Sequence, residues 1–161
     1  MTYKASLDNT AVYITIAVAV LFTVIIGGQY FFINNSGRYV PMYTTIACLL
    51  IYFFAFAFRP IEYVVTIDEL IVRRLLFDVH IMRADIKTVE PIDREKIRGS
   101  FRIAGVGGLF GYYGGFTNSS LGFMTWYMTR KDRPVLVKTV DNKTILFSPD
   151  DPIQFINELR A

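Results

Sequence analysis

Two stretches without charge constrain this chain more than anything else in it. Residues 9–37 hold no Asp, Glu, Lys or Arg, Arg38 follows, and residues 39–58 are again uncharged. A helix needs about 20 apolar residues to cross about 30 Å of hydrocarbon. The first run, as a helix over about 10–33, exceeds that length, and the second, over 39–58, meets it. In lipid the backbone must satisfy its own hydrogen bonds, so such runs read as helices rather than strands. Between them Asn34, Asn35, Ser36, Gly37 and Arg38, with Pro41 just beyond, are rich in turn formers. The expectation is a two-helix transmembrane hairpin over 10–58, after an N-terminal tail of residues 1–9. Tyr30, Phe31 and Phe32 on one side of the turn, and Tyr39 and Tyr43 on the other, fall where rings meet headgroups. Ala17-Val18-Ala19 looks like a signal cleavage site, but apolar sequence continues well past it, which argues against a removed signal. Gly27-Gly28 marks either close helix packing or a kink.

Of the 161 residues, 19% are charged, below the roughly 25% of soluble domains. The deficit lies in the first 58 residues; the remainder has ordinary soluble composition and length for one small core. A net charge of +3 fits a surface near anionic lipid better than a nucleic-acid-binding domain, so no nucleic-acid partner is expected. The single cysteine, Cys48, excludes an intramolecular disulfide and reads as a small apolar residue facing lipid or the partner helix. Lys4, Arg59, Arg73 and Arg74 flank the spans while the turn carries only Arg38, so the positive-inside rule puts both termini in the cytoplasm. Arg59-Pro60 ends the second helix.

From Ile61 the period changes to two. Residues 61–67, 70–76, 79–83 and 85–90 read as successive strands with turns at Asp68-Glu69 and Phe77-Asp78. Strands resume at 123–128, 134–140 and 144–147, with Arg130-Lys131-Asp132-Arg133 as a solvated hairpin turn. Ser148 or Asp151 can cap a last helix over about 149–160, where Ile153, Phe155, Ile156 and Leu159 recur at helical spacing. About seven antiparallel strands and a closing helix over 59–161 suggest two bent sheets or a partly open barrel.

The two N-terminal spans, "YVVTIDELIVRR", "ADIKTVE", the segment "RIAGVGGLFGYYGGF" and the ending "ILFSPDDPIQFINEL" together resemble bacterial membrane-anchored proteins with a pleckstrin-homology-like (PH-like) domain. The resemblance covers nearly the whole chain, and its most specific parts are the Gly-aromatic segment and the Ser-Pro-Asp-Asp-Pro helix start. It implies two roughly orthogonal sheets with the C-terminal helix plugging one end, and a place in the bacterial inner membrane. It implies no reaction; PH-like domains bind lipid headgroups, peptides or proteins.

The most informative part of the domain is the segment 98–116, expected to be a loop. Gly105, Gly107, Gly108, Gly111, Gly114 and Gly115 shape it; Arg98, Arg102, Phe110, Tyr112, Tyr113 and Phe116 are the candidate contacts to a partner or to lipid. A dinucleotide fingerprint fails because Phe110 stands where glycine is required, and no Gly-Lys-Ser/Thr is present. Two readings of the segment stand: rings and glycines that fill the mouth of the sheet, or a contact surface for a headgroup or a protein. His80 is the only histidine, with no cysteine nearby, so neither a metal site nor a cofactor is expected and the ring should point outward. Of Trp126 and Tyr127, one should be core and the other exposed. The scattered acids read as turn formers, and Ser119-Ser120 lacks a histidine base, which argues against an enzyme. The expected function is a membrane-anchored, non-catalytic interaction or scaffold module at the inner leaflet, with a protein partner or a second copy as its target. The alternatives are an anionic-headgroup reader and a small accessory subunit of a membrane complex.

Overall fold

The computed structural model describes residues 1–32 and 39–161; the expected turn at 34–38 lies outside the described residues. Two long apolar helices precede a mainly-β domain of two sheets closed by a C-terminal helix, the architecture the sequence implies. The helices are α1 (Asn9–Phe32) and α2 (Tyr39–Ala57), both long and apolar enough to cross a membrane. Only 6% of the most apolar stretch of α1 and 17% of that of α2 are buried, so neither is the core helix of a soluble fold. Gly27 and Gly28 lie within α1 with nothing inside 4 Å of a Cβ built on either, so they close no packing contact among the described residues.

A four-stranded sheet runs in the order β1 (Thr2–Lys4), β2 (Glu62–Val65), β3 (Glu69–Arg73), β4 (Val79–Met82). Its first strand corrects the sequence reading: residues 1–9 are more than a tail, because Thr2, Tyr3 and Lys4 pair with Val64, Tyr63 and Glu62. Three residues are too short to register as a strand from their own pattern. A 3-10 turn (Arg83–Asp85) leads into β5 (Ile86–Pro91), followed by the one-turn helix α3 (Arg94–Ile97). Then come β6 (Phe101–Gly108), β7 (Gly111–Asn118), β8 (Gly122–Met128), β9 (Val135–Thr139), β10 (Thr144–Phe147) and α4 (Pro152–Arg160). The second sheet has the order β5-β9-β10-β8-β7-β6. The described residues hold ten strands where the sequence suggests about seven, and one pair among them, β8 with β10, is parallel. The 130–133 segment is therefore a crossover rather than a hairpin turn: β9 leaves a place beside β8, and β10 returns into it antiparallel to β9.

The main core lies between the sheets. Tyr63, Val65, Leu70 and Val72 face Val135, Val137 and Phe147, and α4 plugs the space with Phe155, Ile156 and Leu159. The Tyr63 hydroxyl stitches the layers, donating to the Tyr127 carbonyl at 2.6 Å and accepting from the Ser148 N–H at 3.3 Å. Asp151 caps α4 by accepting from the Gln154 N–H at 3.0 Å. On the opposite face of the larger sheet a second core gathers Tyr112, Phe116, Trp126, Leu136 and Leu146 under Ile97 of α3 and Ala11 of α1. The first helix thus belongs to the packing of the domain.

Candidate functional site

The Gly-aromatic segment is a β-hairpin, not a loop. β6 and β7 pair from Phe101 opposite Thr117 to Gly108 opposite Gly111, with one bulge between Arg102 and Ala104. Its glycines obscure the strands because they carry no β-branched or aromatic pattern. They also permit the pairing: a Cβ on Gly114, whose φ is +116°, stands 2.3 Å from the Ala104 carbonyl oxygen. Two residues, Leu109 and Phe110, turn the chain.

That tip is set against the domain-proximal ends of the two helices. Phe110, at φ 57°, packs its ring edge-on to Tyr52 at 4.9 Å and to Phe56 at 5.4 Å between centroids. Its N–H donates to Thr15 Oγ1 at 2.9 Å, while that hydroxyl donates to the Ala11 carbonyl at 2.7 Å. Arg59 covers the pair, its guanidinium 4.6 Å from the Phe56 centroid and 5.8 Å from that of Phe110. Gly108 touches α1 so closely that a Cβ there meets Ile14 Cδ1 at 2.5 Å, and its φ of +136° suits glycine alone.

Helix ends leave backbone groups unpaired, and the domain satisfies them. In the last turn of α2, the carbonyls of Phe54 and Phe56 accept from the N–H groups of Phe58 and Arg59. The Ala57 carbonyl accepts from Leu76 N–H at 3.1 Å, and that of Ala55 from the Tyr113 hydroxyl. At the start of α1, Asp8 Oδ1 accepts from the Ala11 N–H at 2.7 Å and from the Tyr112 hydroxyl at 3.2 Å. Burial raises the pKa of both tyrosines. For Tyr112 the Asp8 charge and hydrogen bond add to it and Arg94 opposes; for Tyr113 the charge of Arg59 opposes. The Lys131 ammonium lies 4.0 Å over the Tyr112 ring, and burial lowers its pKa.

The candidate contact residues therefore divide. Phe110, Tyr112, Tyr113 and Phe116 are all under 9% exposed and face this chain's own helices and core; Phe116 stacks on Trp126 at 4.0 Å. Arg98 and Arg102 are exposed. Arg98 pairs with Glu95 at 3.4 Å, whereas Arg102 has no hydrogen-bonding or ionic partner among the described residues. Around Arg102 the outer strand β6 presents Phe101 and Ile103 at 74% and 62% exposure. The sequence alone does not single out Thr15, Tyr52 and Phe56; its signal for them is a hydroxyl near the start of one apolar run and aromatics near the end of the other.

Two recesses adjoin these residues. A cleft of about 810 Å³ separates the hairpin from the helices, with Ile14, Val18, Leu50 and Ile51 on one wall and Val106 and Tyr113 on the other. A second, of about 480 Å³, lies under Arg94, Arg98, Ser100 and Lys131 and is floored by Phe116 and Trp126. The Trp126 Nε1 is buried with no partner among the described residues. Tyr127, its neighbour, is half-buried and reaches the larger cleft. His80 is exposed, its Nδ1 2.8 Å from Glu69 Oε2. Arg130 is held by Asp132 at 2.7 Å and Asp150 at 3.2 Å.

Neither a curated protein nor a solved structure matches this chain. A family model does match, that of the bacterial PH domain, over residues 61–161, which span both sheets apart from β1 together with the closing helix. The chain belongs to the bacterial PH domain family.

Proposed function

We propose that the protein is a membrane-anchored, non-catalytic interaction module, held at the inner leaflet of the bacterial cytoplasmic membrane with both termini in the cytoplasm. The observation that carries this reading is the joint between α1, α2 and the hairpin. Two helices with exposed apolar outer faces end in a seam where the β domain completes their hydrogen bonds. Such helices are stable only when something apolar covers them, and their length suits a bilayer. β1 and α4 pack into one domain, so two crossings leave both on one side, and the flanking Lys4, Arg59, Arg73 and Arg74 favour the cytoplasmic side. PH domains are generally interaction modules, and that supports binding over catalysis.

The seam occupies the rings of the Gly-aromatic hairpin, so the surface offered to a partner is its outer edge. β6 is an edge strand whose outward backbone groups are unpaired among the described residues, with exposed Phe101 and Ile103, and Arg98 and Arg102 alongside. An open edge with exposed apolar side chains is a template for pairing with another chain. Tethering confines the search for that chain to the membrane plane. Photo-crosslinking from position 103 in intact membranes tests this. Protein adducts, to a second copy or to another chain, are expected; adducts to lipid alone, or none, defeat the reading.

A further inference from the structure

We infer that the cleft between the β6–β7 hairpin and the two apolar helices is a binding site for an anionic phospholipid of the surrounding bilayer, its headgroup held by Arg74 and Arg102 and its chains lying along α1 and α2. The inference goes beyond the interaction module and rests on the membrane-anchored part of that reading.

Three properties of the cleft converge on this occupant. The first is depth. Val18 lies nine residues beyond the start of α1 and Leu50 seven before the end of α2, so at 1.5 Å per residue the cleft runs about 10–14 Å along the helices from the domain. A bilayer's polar zone is only about 5–8 Å thick on each side, so the far end of the cleft reaches the acyl chains. The second is the wall. Ile14, Val18, Leu50, Ile51 and Phe54 present hydrocarbon, which a soluble anion leaves uncovered and an acyl chain covers. The third is charge. Arg74 and Arg102 are the charged groups that line the cleft, with no Asp or Glu among the described lining residues.

Neither guanidinium is neutralised from within the chain. Arg74 donates through Nε, at 2.7 Å, and Nη2 to the Phe77 carbonyl and lies 5.6 Å over the Phe58 ring, which fixes its plane and leaves Nη1 without a hydrogen-bond acceptor among the described residues. The carboxylate of Asp78 is taken by the Arg73 side chain and by the Arg74 backbone N–H. The guanidinium of Arg102 has no hydrogen-bonding or ionic partner among the described residues. A phosphate diester matches two such forks. A zwitterionic headgroup brings its own cation to a site that offers no acid for it. Thr125 and Tyr127, which also line the cleft, carry hydroxyls that can donate to headgroup oxygens.

The test uses the full-length protein purified in mild detergent with an equimolar mixture of phosphatidylglycerol and phosphatidylcholine of identical chains, and native mass spectrometry to read the retained lipid. Preferential retention of phosphatidylglycerol is expected. Arg74→Gln and Arg102→Gln should each lower it about fivefold, the effect of one basic residue near an anionic surface. Gly107 lines the cleft, and a Cβ there makes only ordinary contacts with Arg102, at 3.6 and 3.7 Å. Gly107→Leu should therefore fill the cleft and lower retention with both arginines in place and the melting temperature unchanged. Equal retention of the two lipids overturns the inference, as do arginine variants that retain phosphatidylglycerol like the parent. So does loss in the arginine variants with Gly107→Leu unaffected, since that marks a headgroup on the open surface. Alkaline carbonate extraction of the parent membranes separates the two readings. Release into the supernatant removes the bilayer as the source and overturns both; retention in the pellet without lipid preference overturns this inference alone.

Discussion

Tyr113 shows how much one hydroxyl does here. In an uninterrupted helix the Ala55 carbonyl accepts from the N–H of residue 59, but the Arg59 N–H turns to Phe56 instead, and the Tyr113 hydroxyl takes its place. The role requires the protonated phenol, since a phenolate has no proton to donate. Tyr63 has the same requirement, because it donates to the Tyr127 carbonyl inside the main core. Burial pushes its pKa up to about 12, against the Ser148 hydrogen bonds that pull it down. Below pH 10 the folded and unfolded chains both keep these protons, and the full contribution to stability is present. Above pH 10 the unfolded chain ionises while the folded one does not, so stability falls until the folded group also titrates. The slope is about 1.4 kcal/mol per pH unit for a residue as buried as Tyr63. Thermal melts of the detergent-solubilised protein should therefore be insensitive to tyrosine ionisation up to about pH 10 and lose stability steeply beyond it. Tyrosinate absorbance at the buried positions should rise together with unfolding. A smooth titration of all the tyrosines near pH 10 in a chain that stays folded would show that these hydroxyls are not held as described.

The hairpin is the element that turns two helices and a sheet into one object. Its glycines explain why sequence alone misplaced it. Strand patterns are recognised by alternating side chains, and from Ala104 to Gly108 only Ala104 and Val106 carry any. Of the ten strands among the described residues, β6 and β7 escape the sequence pattern because they are built this way, while β1 and the helix α3 escape it because they have only three and four residues. The apolar runs, β10 and the Asp151 cap were legible, since each is set by local chemistry. The seam was not, because Thr15, Tyr52 and Phe56 acquire their roles from Phe110 at the hairpin tip, more than 50 residues away in sequence. Gly108 tests the seam. Gly108→Ala puts a Cβ against Ile14 and a side chain at φ +136°, and should destabilise the protein by about 1–3 kcal/mol. Adding Ile14→Ala removes the clash and leaves the backbone strain, so the double variant should recover part of the loss. The readout is the midpoint of thermal unfolding in detergent. A double variant no more stable than Gly108→Ala would mean that the hairpin tip does not press on α1.

At the scale of the whole molecule, the chain enters its β domain, leaves it through two apolar helices and returns to finish it. The bacterial PH domain match covers residues 61–161, yet that segment leaves out a strand. Residues 1–6 are stitched in from two sides. The Ala5 N–H donates to the Ile61 carbonyl at 3.2 Å, and the Asp150 N–H to that of Lys4 at 3.0 Å. Ser6 binds the Asp150 carboxylate through its N–H at 3.1 Å and its hydroxyl at 2.6 Å. Tyr3, 5% exposed, packs edge-on to Phe155 of the closing helix at 5.3 Å. A segment cut at residue 59 loses this ring, worth about 1.5–3 kcal/mol of burial, and opens β2 as an unpaired edge. Lys4 stands opposite Glu62 in the antiparallel register, so residues 1–6 can be joined to residue 60 through a short glycine-containing turn that replaces both helices. The joined chain and the bare 59–161 segment expose the same seam residues, so their difference isolates the strand. The joined chain should melt higher by at least about 4–8 °C, the shift that 1 kcal/mol produces in a domain of this size. It should also protect the amides of β2 from hydrogen exchange, which the bare segment leaves open. Equal melting temperatures and equal exchange would mean that β1 is an ornament on a domain complete without it, and that the helices are a detachable anchor rather than an excursion from within the fold.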